Sequence, residues 1–292
     1  MSKIKIIDYH AYNETVYSNT AEYNLKIDLP SARHYHSPYL MSSTEIAYFG
    51  YPKGSDNQHS EPLVFYENQK MTCKEFSDKL KYRRNTYDEL DKYRILVCLN
   101  MDKSIMMRQF DSLKNELIEN NFNKIMIGVN PNQDNPCYGT YGILVRLPFS
   151  QKLYDYYEYE FEYKKNKIIK ELLDYTCTYD NLLILEINPA EITMNQNLIN
   201  ENSFRKVLYN NLKNLDKILI ELKIDGNVTI ERFITILDDI KDVLIVLRNQ
   251  ESKKMFQKKY SELNEEEKDR YFEIYRMRII KHSDYYKEKV LN

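Results

Sequence analysis

Cys98 is the residue whose type and setting most invite chemistry, because it lies near the end of the apolar run Arg94-Ile-Leu-Val-Cys-Leu99. A thiol attacks only as the thiolate, so it needs an imidazole, a cation or a helix N-terminus beside it. The nearest histidine is His59, in the turn-forming loop Tyr51-Pro-Lys-Gly-Ser-Asp-Asn-Gln-His-Ser-Glu-Pro62, and Cys98 with His59 is the candidate catalytic pair. The competing reading is an inert core thiol, since cysteine is among the most buried residue types. Cys137, between Pro136 and Tyr138, is a second candidate thiol; Cys73 and Cys177 complete the set of 4. The cysteines lie far apart with no C-x-x-C pair, which points to neither a zinc knuckle nor a dense disulfide framework. His34 and His36 form an H-x-H pair that a strand would place on one face, but spacing marks no third ligand. No metal site and no cofactor are assigned.

The elements that must position these groups centre on residues 94–130. Arg94–Leu99 and Lys124–Val129 read as buried strands. Between them Met106, Phe110, Leu113 and Leu117 recur at helical spacing, opposite the polar face of Arg108, Asp111, Lys114 and Glu116. Strand, return helix and strand predict a βαβ unit with parallel pairing. The helix opens beside Asp102 and Ser104, either able to cap it, and closes at Asn120-Asn121. Ahead of this unit, Lys3–Ile7, Tyr23–Leu29, Glu45–Gly50 and Leu63–Tyr66 predict four short strands, and Thr72 with Glu75 predicts a capping box on a helix ending near Arg83. Behind it, residues 130–139 form a turn-rich loop at the carboxyl end of a parallel strand, where open α/β sheets hold ligands.

Further along, Gly142–Leu147, Leu182–Ile187, Ile218–Ile224 and Val243–Leu247 read as strands. Tyr156–Tyr163 alternates rings and acids at period two, and Lys167–Tyr175 is helical in pattern. Phe204, Val207, Leu208 and Leu212 make one helical stripe. Ile230, Phe233, Ile234, Leu237 and Ile240 make the next, with Thr229 as its N-cap. Residues Leu215–Lys223 and Ile240–Arg248 look alike and are read as successive βα units. The C-terminus is read as charged helix: Asn264 precedes three glutamates, Arg276, Arg278 and Lys281 follow, and Phe272, Tyr275 and Ile279 form its stripe.

Over residues 45–130 the chain resembles the caspase-like cysteine peptidases, including bacterial toxin self-processing domains. The resemblance rests on the strand Glu45-Ile-Ala-Tyr-Phe-Gly50, the segment Leu63–Thr72 leading into a helix, and Arg94–Asn100. It implies that Cys98 is the nucleophile at a strand end. Where that family has His-Gly this chain has Gly50-Tyr51, which leaves His59 as the base and makes a degenerate, inactive member equally consistent. Arg33, Ser42-Ser43-Thr44 and Glu160-x-Glu162 also stand in the order used by ADP-ribosyltransferases, a second resemblance that gives a third functional reading and implies use of NAD. No G-x-G-x-x-G, P-loop, G-x-S-x-G or H-E-x-x-H pattern occurs.

Composition narrows the field. With 42 basic and 44 acidic side chains the net charge is -2, so no overall basic field favours nucleic acid or an anionic membrane. The 27 tyrosines, no tryptophan and few glycines read as the bias of an AT-rich genome and not as a binding surface. No N-terminal apolar h-region and no apolar run approaching the ~20 residues of a membrane helix occur. The expectation is a cytoplasmic protein, with leaderless export left open. The predicted fold is α/β, a mainly parallel central sheet flanked by helices, with a strand-rich N-terminal part and a helical C-terminus. Residues 1–175 and 176–292 are read as two portions, or as one continuous domain. The function is read as a cysteine-dependent hydrolase of caspase-like topology or as a non-catalytic α/β module with a protein partner.

Overall fold

The computed structural model describes residues 25–33, 44–54, 60–87, 92, 95–122, 124–131, 142–146, 181–274 and 277–281. The chain divides into two compact units, residues 1–153 with 229–235, and residues 154–228 with 236–292.

In the first unit the strands are β1 (Leu25–Lys26), β2 (Ser31–Ala32), β3 (Thr44–Pro52), β4 (Leu63–Tyr66), β5 (Gln69–Met71), β6 (Leu96–Met101), β7 (Lys124–Gly128), β8 (Asn130–Pro131) and β9 (Gly142–Arg146). The main sheet runs β5-β4-β3-β6-β7-β9, with β1 added to β3. Its middle strands β3, β6 and β7 are parallel, and β4, β5 and β9 are antiparallel at the margins. Helix α1 (Cys73–Arg84) starts on the predicted capping box: Thr72 N–H donates to Glu75 at 2.8 Å, and Glu75 N–H to Thr72 Oγ1 at 3.3 Å. Helix α2 (Met107–Glu119) is the return helix of the predicted βαβ unit and buries Phe110, Leu113 and Leu117. Its first amide is held at Met106, whose N–H donates to Gln109 Oε1 at 3.0 Å, so Asp102 and Ser104 do not cap it. Ser77, fully buried on α1, ties the two helices together by donating to the Glu116 carbonyl and accepting from Asn120 Nδ2, each at 2.7 Å.

The second unit holds β10 (Asn181–Ile187), β11 (Ile192–Met194), β12 (Asn197–Ile199), α3 (Phe204–Leu212), β13 (Ile218–Ile224), α4 (Ile230–Phe256), α5 (Glu265–Ile274) and β14 (Met277–Lys281). The first turn of α4 counts with the first unit. Its sheet runs β12-β11-β10-β13-β14, with β10, β13 and β14 parallel and β11 and β12 antiparallel. One face is a continuous core of Leu183, Leu185, Ile187, Ile218, Ile220 and Leu222. The other carries Leu182, which is 53% exposed, Glu186 and Lys223.

The α/β class, the strand-rich N-terminal part and the helical C-terminal region, with α5 behind Asn264, stand as expected; the strands form two mixed sheets in place of one mainly parallel sheet. Val243–Leu247 is not a strand. Its residues continue the helical period of α4, where Ile240, Val243, Leu244 and Leu247 are buried while Ile245 and Val246 stay 42% and 47% exposed. A central strand would have buried both faces. Met277–Lys281 extends the second sheet through parallel pairing with β13 and is not part of a C-terminal helix. The predicted elements at Lys3–Ile7, Tyr156–Tyr163 and Lys167–Tyr175 lie outside the described residues.

Candidate functional site

β6 begins at Leu96 and ends at Met101, so Cys98 sits inside the strand and not at its end. All of β6 is buried; Cys98 is 1% exposed and clusters with Leu96 and Met126. Its lateral neighbours are Ile46 on β3 and Met126 on β7. Burial pushes its thiol up to about 12, so at neutral pH it is the unreactive protonated form. His59, its proposed base, lies outside the described residues, as do Cys137, Cys177, His34, His36, Ser42, Ser43, Glu160 and Glu162. Arg33 follows β2 and Thr44 opens β3. Cys73, the first residue of α1, is half-buried, and burial followed by the nearby Glu116 charge pushes its thiol up to about 11.

At the carboxyl ends of β3, β6 and β7, residues 25–33 cross the strands in turn. Leu25 and Lys26 pair with Pro52 and Tyr51 at the end of β3. Asp28 N–H then donates to Asp102 Oδ2 at 2.8 Å, and Lys103 N–H returns a bond to the Asp28 carbonyl at 2.7 Å. Beyond β7, Asn130 N–H donates to the Pro30 carbonyl at 2.9 Å and β2 pairs in parallel with β8. Leu25, Ile27, Leu29 and Ala32 are buried beneath this strap. Asp102, 1% exposed, is its main staple, since Oδ1 also accepts from Ser104 N–H and from the Ser104 hydroxyl. The Lys103 ammonium lies 2.6 Å from the Asp28 carboxylate. Glu231 accepts from Ser31 N–H while its own N–H donates to the Lys103 carbonyl at 3.1 Å; desolvation raises its carboxyl above the ordinary range. The edge where this architecture usually holds a ligand is filled by the chain itself.

At the ends of β10 and β13 a cleft of about 280 Å³ is lined by Glu186, Asn188, Thr193, Lys223 and Asp225. Lys223 Nζ meets Glu186 Oε1 at 3.2 Å and Thr193 Oγ1 donates to Glu186 Oε2 at 3.2 Å. Asn188 and Asp225 spend a side-chain oxygen on their own turns, accepting from Glu191 N–H and Asn227 N–H at 2.7 Å each. Both members of the ion pair are more than a third exposed, so water screens them.

Glu45 is the polar residue that sequence reasoning missed. It is 8% exposed near the start of β3; Tyr66 and Tyr87 donate their hydroxyls to its two oxygens, and Arg83 Nε stands 3.6 Å away. Burial, and then the Glu45 carboxylate, push both phenols upward. This is a carboxylate held as a fixed acceptor, joining β3, β4 and the end of α1. The available signal was an acid opening an otherwise apolar strand. Among the described residues no group of three or more His, Cys, Asp or Glu side chains is arranged to hold a metal, and no helix is long and apolar enough to cross a membrane. Comparison with family models, with curated proteins and with solved structures finds no match.

Proposed function

We propose that the chain is a non-catalytic α/β module that acts by binding another protein. The observation that carries this reading is the setting of Cys98: 1% exposed, inside a buried strand, with its thiol pushed up to about 12 by desolvation. A nucleophile needs the opposite environment, exposed and electropositive. The strap over the first sheet supports the same reading, because it occupies the edge at which a substrate would be held. A cytoplasmic setting fits free thiols spaced without a disulfide framework. The hydrolase of caspase-like topology is the reading this displaces.

The test is alkylation of the native full chain with iodoacetamide at neutral pH, followed by peptide mapping. Cys98 is expected to stay unmodified until denaturant is added. Selective modification of native Cys98 ahead of the other thiols would overturn the proposal and restore the hydrolase.

A further inference from the structure

The β12 margin of the second sheet carries no charged residue and no proline. β12 is the outermost strand and reads Asn197-Leu198-Ile199, and Leu198 is 66% exposed. Natural edge strands are guarded by short length, lysine, proline or a bulge, because their N–H and C=O groups recruit another strand; β12 has short length, three residues, without lysine or proline. Beside β12, α3 forms the far wall of a groove of about 250 Å³, lined by Asn195, Asn197, Asn200, Ser203, Val207 and Asn211 among others. That volume lies below the ~300 Å³ at which small-molecule sites begin, and suits one or two side chains of an extended segment.

The lining also limits what can enter. None of the nine residues is ionisable, so any charge brought into the groove would lose hydration without gaining a partner. The asparagines each use one end of the amide to hold the local backbone. Asn195 Oδ1 accepts from Ile184 N–H at 2.9 Å and Asn200 Oδ1 from Asn202 N–H at 2.9 Å. Asn197 Nδ2 donates to the Asn195 carbonyl at 3.2 Å, and Asn211 Nδ2 to the Val207 carbonyl at 2.8 Å. The ends facing away are therefore two donors, on Asn195 and Asn200, and two acceptors, on Asn197 and Asn211. A balanced, uncharged set of donors and acceptors is the complement of peptide groups.

We infer that β12 and the groove beside α3 bind an extended, uncharged protein segment that adds to the sheet as a strand and places an aliphatic side chain against Val207. This is the β-augmentation mode, in which main-chain bonds supply affinity and the flanking groove selects side chains. The inference rests on the module reading and names its surface and partner class.

The probes are capped octapeptides that alternate threonine with valine, isoleucine or leucine, and matched sets with glutamate or lysine in place of threonine. They are titrated onto the full chain, with amide hydrogen exchange as a second readout. Saturable binding of the uncharged set, protection of residues 197–199, and at least about tenfold weaker binding of both charged sets are expected. Leu198→Lys, a charge placed on the exposed edge, should weaken binding by about tenfold or more and leave the exchange of β10 unchanged, whereas Glu186→Ala should leave binding unaltered. No saturable binding, equal binding of a charged set, or protection elsewhere would overturn the inference. So would concentration-dependent self-association abolished by Leu198→Lys, which would make a second copy the occupant. If binding fails while native Cys98 remains protected from iodoacetamide, this surface is wrong and the module reading stands; alkylation of native Cys98 removes the module reading whatever the peptides do.

Discussion

In the first unit the carboxyl ends of β3, β6 and β7 are crossed and stapled by residues 25–33, whereas in the second the ends of β10 and β13 open onto a cleft with an exposed ion pair. Both sheets mix parallel and antiparallel strands: the first has antiparallel strands at both margins, the second at the β12 margin only, its other margin being the parallel strand β14. They differ in where they keep polar groups. The first sheet buries Glu45 and Asp102 and satisfies them with hydroxyls and amides. The second also buries Glu221 on β13, 8% exposed, but leaves Glu186 and Lys223 each more than a third exposed and carries no charge or proline on its three-residue outer strand. Buried satisfied acceptors rigidify a framework, while exposed groups cost little to rearrange when a partner arrives. Under the proposed module reading, the first sheet is the framework and the second the contact surface.

Asp102→Ala should break that contrast most forcefully, since it leaves the Asp28 and Ser104 amides and the Ser104 hydroxyl without their acceptor. A loss of about 3 kcal/mol in urea unfolding is expected, with faster tryptic cleavage of the native protein at Lys26 or Arg33. A loss under about 1 kcal/mol would mean that the strap is not held by this carboxylate. Gly128→Ala should follow at about 2 kcal/mol, because a Cβ there would stand 2.2 Å from Asn100 Oδ1 on buried β6, which has little room to give. Cys98→Ala should cost about 1 kcal/mol or more through the void beside Leu96 and Met126, and should not alter binding of the octapeptides. In the second sheet, Glu186→Ala or Lys223→Ala should shift stability by less than about 0.5 kcal/mol; a larger loss would give that pair a structural role.

The smallest effect is one of sign. Glu231, raised by desolvation, binds its proton more tightly folded than unfolded, so its contribution is present below the ordinary glutamate range and is lost as pH rises through its raised value. Glu75, lowered by the Thr72 backbone and hydroxyl bonds, acts oppositely: its contribution is present above the ordinary range and is lost as pH falls through its lowered value. Unfolding followed from pH 3 to 7 should therefore lose its falling component in Glu231→Gln and its rising component at α1 in Glu75→Gln. Unchanged profiles in both variants would remove these assignments.

Much of the first unit was legible because its signals are local. The capping box at Thr72 and Glu75, the helical stripe of Phe110, Leu113 and Leu117, and the apolar strands on either side are each complete within one or two turns of chain. The short strands β5, β11 and β12 were not. Their hairpins turn at Glu67-Asn68 and Asn195-Gln196, all at positive φ but without glycine, so the usual marker of a two-residue turn is missing. Val243–Leu247 misled for a related reason, since a β-branched run of five residues fits a strand and a buried helix equally until its neighbours supply the period.

Periodicity, capping and composition by themselves determined the α/β class, the βαβ unit and the absence of a basic field, because each depends on neighbours in the chain. Tertiary structure alone decided the setting of Cys98. A strand that starts two residues later moves that thiol from an exposed end to a buried middle, and desolvation depends on groups brought in from β3 and β7. The strap is the same kind of fact: Asp28 and Asp102 are 74 residues apart, and no local pattern records that one amide will find the other's carboxylate.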